Sequence, residues 1–72
     1  MFAAIGHVLR MKRLVRNLTQ KEVAEKIEVS VYMVSGWEND RYFPSLLRLK
    51  QLASLYSISV EELRDYDYLD RP

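Results

Sequence analysis

Between Thr19 and Glu38 the chain holds two short runs of helical apolar spacing with only three residues between them. The first run, 20–27, sets Val23, Ala24 and Ile27 on one side. The second, 31–38, sets Val34 and Trp37 three apart. Each run carries its own start signal. Thr19 with Glu22 three residues later is a reciprocal capping box, and Ser30 is a strong N-cap. Helices joined by so short a turn cross steeply and at close range, which demands a small residue at the contact and apolar residues around it. Ala24 is small, and Val23, Ile27, Val29, Val34 and Trp37 are all apolar, with Val29 plugging the turn. The spacing predicts a tightly crossed helix pair at the centre of the molecule.

The rest of the chain is read around that pair. With two glycines and two prolines in 72 residues, a strand-and-turn architecture has little support. A helix over about 3–16 carries Ile5, Val8, Leu9 and one of Leu14 or Val15 as its buried stripe, and Asn17 follows as a left-handed stop. After the loop Asn39-Asp40-Arg41-Tyr42-Phe43-Pro44, a helix over 45–56 buries Leu46, Leu49, Leu52, Ala53 and Tyr56, with Ser45 suited to cap it. A fifth helix over about 60–66 starts from a second box, Ser59 with Glu62. The expected fold is all-α: a compact five-helix domain over 1–66 and a short acidic, aromatic tail over 67–72. A chain of this length hides roughly 60% of its unfolded surface, enough for one thin core.

Charge is nearly balanced at +1 but unevenly spread. Residues 1–27 carry six Lys or Arg against Glu22 and Glu25, while residues 59–72 carry five acids against Arg64 and Arg71. The first third suits a polyanion and the tail does not. There is no cysteine, so neither disulfides nor thiolate metal sites arise. His7 is the single histidine and has no carboxylates spaced around it for a metal or a catalytic triad. No catalytic residue, cofactor or small-molecule site is expected. Without a long apolar run or a signal-peptide pattern, the protein is read as soluble and cytoplasmic.

The pieces Ile5-Gly6 with Arg10 and Arg13, Leu18-Thr19-Gln20, Glu22 to Ile27, Val29-Ser30, Trp37-Glu38-Asn39, Pro44-Ser45, Leu46 to Leu52 and Ile58 to Leu63 occur in order across almost the whole chain. In these the sequence resembles the lambda-repressor-like, Xre/Cro-type helix-turn-helix domains of bacteria and phages. The resemblance implies double-stranded DNA as partner, with the second helix of the pair in the major groove. On this reading Ser30, Val31, Tyr32, Ser35 and Gly36 face the bases. Thr19 and Gln20 meet a phosphate at a helix N-terminus, and Asn39, Arg41 and Tyr42 form a second phosphate clamp. Arg13 and Glu38 are expected to pair as a partly buried ion bridge. Arg10 and Arg16 either reach phosphate or, as is commoner for each alone, are solvated surface. Two residues depart from the family pattern: Asp40 and Glu28 stand where glycine is usual.

The reading face lacks the Arg, Lys, Gln and Asn side chains that make bidentate bonds to base edges. Val31 and Tyr32 suit thymine methyls, and Gly36 suits close backbone approach, which points to readout by apolar and shape contacts. A single module of this kind covers only about 600–1,000 Å² of DNA. A homodimer on an inverted repeat, acting as a repressor, is therefore expected. Tyr66, Tyr68 and Leu69 either form the dimer contact or cover the base of the domain. The other functional class left open is a protein-interaction module with a regulatory protein partner, an anti-repressor or antitoxin-like use of the same fold.

Overall fold

The structure, a computed structural model, describes residues 5–63. Four helices are α1 (Ile5–Val15), α2 (Gln20–Ile27), α3 (Val31–Glu38) and α4 (Leu46–Tyr56). A fifth, α5, starts at residue 60 and continues to the last described residue, 63. No strand occurs among the described residues. Tyr66, Tyr68 and Leu69, and the boundary expected near 66, lie outside them.

Helices α2 to α5 each start where a side chain satisfies a free N–H group. Thr19 Oγ1 accepts from the Glu22 N–H at 3.0 Å while Glu22 Oε1 accepts from the Thr19 N–H at 2.8 Å. These hydrogen bonds from Thr19 hold the Glu22 carboxyl below its ordinary range. Ser30 caps α3, Ser45 caps α4, and Ser59 accepts from the Glu62 N–H.

The helix ends share one device. Asn17, Glu28, Asp40 and Ser57 all adopt positive φ, between 56° and 59°, and none is glycine. The residue after each donates its N–H back to a carbonyl five residues earlier: Leu18 to Arg13, Val29 to Ala24, Arg41 to Gly36 and Ile58 to Ala53. This is the Schellman closure, in which an apolar residue past the stop packs back on the helix. Leu18, Val29 and Ile58 do pack against the core.

The core gathers Ile5, Leu9, Val23, Ala24, Ile27, Val34, Trp37, Leu49, Leu52, Ala53, Tyr56 and Leu63. α3 lies against both α1 and α2, and α4 touches α2. Two expectations are corrected. Leu14 and Val15 do not join the stripe of α1 and are 49% and 71% exposed. The stripe runs Ile5, Leu9, Arg13, so the inward position in the last turn belongs to the arginine. Leu46 is 51% exposed because it sits in the first turn of α4, at the rim of the core.

Candidate nucleic-acid interface

The α2–α3 pair is held by one buried carboxylate. Glu38 Oε2 accepts from Arg13 Nε at 2.7 Å, and Oε1 accepts from Arg13 Nη2 at 3.0 Å and from Gln20 Nε2 at 3.1 Å. Arg13 Nη1 donates to the Leu18 carbonyl at 2.8 Å. This network joins α1, the α1–α2 turn, the first residue of α2 and the last residue of α3. Hydrogen bonding to Glu38 raises the Arg13 pKa further, so the guanidinium stays charged. A two-point bridge of this kind fixes orientation, because the planar guanidinium matches the carboxylate in one geometry.

A second latch closes the same, C-terminal end of α3. The Gly6 N–H, in the first turn of α1, donates to Asp40 Oδ1 at 2.9 Å. A Cβ at Gly6 would stand 2.5 Å from the Glu38 carbonyl oxygen and 2.7 Å from that of Trp37. Any side chain there would push α1 off the end of α3. Asp40 thus gives one carboxylate oxygen to a backbone N–H of α1, while the residue itself stays exposed. The sequence signal was faint: a glycine inside a helix has a helix-propensity cost of roughly 1 kcal/mol, which a close backbone approach offsets.

Arg16 also has structural work. Its guanidinium donates to the Tyr56 carbonyl at the end of α4 and lies 5.9 Å from the centroid of the Tyr56 ring. It is therefore not the simple solvated cation expected from sequence. Burial pushes the Tyr56 hydroxyl up to about 12.

The outward surface of α3 centres on Tyr32, which is 79% exposed. Val31 and Met33 flank it at 38% each. Ser30 is spent on the cap, and Ser35 is half-buried, its hydroxyl 3.2 Å from Asn39 Nδ2. Asn39 Nδ2 also donates to the Ser35 carbonyl at 2.8 Å, so the amide closes the end of α3. Gly36 differs from its expected place as an open backbone position: it is buried, with the Tyr42 ring lying on it. Thr19, Arg41 and Tyr42 are exposed and Gln20 half-buried. Among the described residues no group of three or more His, Asp or Glu could hold a metal ion, and no helix is long and apolar enough to cross a membrane.

Two capped eight-residue helices, crossed around Ala24 and presenting the second one outward, define a helix-turn-helix domain. A family model described as helix-turn-helix matches residues 9–63. The chain belongs to this family, the DNA-binding domains of lambda-repressor type found in transcription regulators. It is similar to the HTH-type transcriptional activator BcrR of Enterococcus faecalis, 34% identical over 55 residues, which cover 76% of this chain and 27% of that protein. It is also similar to a protein named as an uncharacterized HTH-type transcriptional regulator of Methanocaldococcus jannaschii, 30% identical over 59 residues, covering 82% of this chain and 89% of that one. The chain thus spans about a quarter of the first relative's length and most of the second's.

Proposed function

We propose that this chain binds double-stranded DNA in a sequence-specific manner to regulate transcription, with α3 in the major groove and the N-terminus of α2 against a phosphate. The observation that carries the reading is Tyr32: a large ring left 79% exposed in the first turn of a helix whose inward residues Val34, Trp37 and Glu38 are buried. Such a ring costs solvation in the free protein and gains contact area in a groove. Val31 beside it fits a thymine methyl, and Ser30 stands at the helix start. Gln20 donates one amide hydrogen to Glu38 and keeps a second for a phosphate oxygen, next to the Thr19 cap and the free N–H groups of the first turn of α2. Asn39 and Arg41, both exposed just past the end of α3, are the candidates for a second phosphate contact.

Two copies on an inverted repeat double the contact area of one module and set their α3 helices one turn of B-DNA apart, roughly 34 Å. We read the dimer as a cytoplasmic repressor that covers promoter DNA, with Tyr66, Tyr68 and Leu69 as candidates for its dimer contact.

Replacing Gln20 and Tyr32 together by alanine tests the groove assignment. Binding to a selected DNA site should be lost while the far-ultraviolet helical signal is kept. Unchanged binding by the double variant would overturn it. If the wild-type chain passes unretained through DNA and heparin columns at low salt, the protein-interaction reading replaces this one.

A further inference from the structure

Positions 32 and 36 lie one turn apart on the same side of α3, so a groove-reading helix would present both. Position 36 is glycine and has nothing to present. Its surface is nevertheless not bare. The Tyr42 ring rests where a side chain at 36 would begin: a Cβ there would overlap ring carbon Cε2 and stand 2.6 Å from Cζ and 2.9 Å from Cδ2. Tyr42 is itself 49% exposed, so the ring covers Gly36 and still offers half its surface to solvent.

Two backbone bonds fix the loop just before that ring. The Asp40 N–H donates to the Trp37 carbonyl at 3.2 Å and the Arg41 N–H to the Gly36 carbonyl at 2.9 Å. Asp40 is pinned to Gly6, and Pro44, two residues past Tyr42, is buried. The tyrosine is delivered to α3 as a fixed part of its outer surface.

We infer that Tyr42 is a base-contacting specificity residue, supplied by the loop in the place that Gly36 leaves blank. It adds a second exposed ring to α3, over Gly36, one turn on from Tyr32. An exposed ring edge takes the C5-methyl group of a thymine, and the hydroxyl bonds a neighbouring base edge. The ligand is a thymine-containing step on the floor of the major groove, not a phosphate. Gly36 and Tyr42 then act as one unit, and glycine is required at 36 because any side chain displaces the ring.

This inference rests on α3 lying in the major groove, and the experiment separates the two. Sites are selected from random duplex DNA with the whole chain and with Tyr42→Ala, Tyr42→Phe and Gly36→Ala, each first checked for an unchanged helical signal. The wild type should enrich a defined half-site. Tyr42→Ala should lose the preference at one or two base pairs and keep the others. Gly36→Ala should show the same change with Tyr42 still present, and Tyr42→Phe should keep the thymine preference. Each thymine of the half-site is then replaced by uracil, which lacks the methyl group. At one position the wild type should lose about fourfold in affinity, the worth of one methyl removed from water. Tyr42→Ala should be indifferent there, and Tyr32→Ala should not. Equal weakening of Tyr42→Ala on all sequences, with a salt dependence reduced by about one ion, would mark a phosphate contact and overturn the inference. If the wild type enriches no sequence at all, the groove assignment itself fails and takes this inference with it.

Discussion

Glu38 carries more of the architecture than any other single residue. Its side chain is 3% exposed, yet it satisfies three donors on two other helical elements. A buried ion pair adds little over a well-packed apolar pair, but removing one partner strands the other charge. Glu38→Gln should therefore cost about 3 kcal/mol. In a domain of this size that lowers the melting temperature by 12 °C or more, at about 4–8 °C per kcal/mol. Thermal denaturation followed at the helical band checks it, and a shift under 4 °C would mean that water already reaches the pair. Tyr56 makes a prediction at the alkaline end. Its folded pKa, about 12, lies above the ordinary 10, so the neutral hydroxyl is favoured in the fold. That contribution is complete below pH 10 and is lost as pH rises from 10 to 12. One phenolate should appear only near pH 12, together with loss of helix, and Tyr56→Phe should hold its helix to higher pH. A phenolate from Tyr56 at pH 10 in an intact domain would contradict the burial argument. The pairing of Arg13 with Glu38 was open to expectation because both residue types sit at family positions. The roles of Gly6 and Arg16 were not, because each depends on which carbonyl another helix brings near, and spacing along the chain does not encode that.

At the scale of the element, the helices easiest to read are those with signals at both ends. α2 and α3 occupy 20–27 and 31–38, the spans expected from the Thr19–Glu22 box, the Ser30 cap and the three-residue turn. The last turn of α1 was harder. Leu14 and Val15 are apolar, but a polar residue, Arg13, holds the inward register there, and hydrophobicity alone points one residue too far. The helix stops divide in the same way. Asn17 is a residue type that tolerates the left-handed region, whereas Ser57 is not, and its stop follows from Ile58 folding back onto the core. Glu28 is the least suited of the four, since an L side chain in that region is strained by about 1 kcal/mol. Glu28→Gly should remove the strain at a smaller loss from unfolded-state freedom, for a net gain of roughly 0.5 kcal/mol. Glu28→Val should instead destabilise by about 1 kcal/mol or more, as a β-branched residue resists positive φ. Urea denaturation of both variants tests the pair, and the opposite order would mean that Glu28 makes a compensating contact. The site was legible as a helix with an outward face. The occupant of position 36 was not, because five residues and a tight stop separate Gly36 from the ring that covers it.

For the whole molecule, the positive charge that could meet DNA is smaller than the composition suggests. Of the six cations in residues 1–27, Arg13 is spent on Glu38 and Arg16 on the end of α4. Arg10, Lys21 and Lys26 are exposed and Lys12 is half-buried, and to these the loop adds Arg41. Those on the far side of α1 or α2 cannot reach the duplex that α3 enters, so about three phosphates per copy is a reasonable count. Each neutralised phosphate contributes about −0.9 to the slope of log affinity against log salt. One copy on a half-site should then show a slope near −3, and a dimer on an inverted repeat a slope near −6. Titration of a half-site and of a full repeat over 50–200 mM salt separates the cases. A doubled slope, with cooperative occupancy of the repeat, supports the dimer. Equal slopes with independent filling of the two half-sites would mean that this domain binds as a monomer. Removing residues 67–72 then locates the contact. If Tyr68 and Leu69 join the copies, the shortened chain should keep its half-site affinity and lose the cooperative term alone.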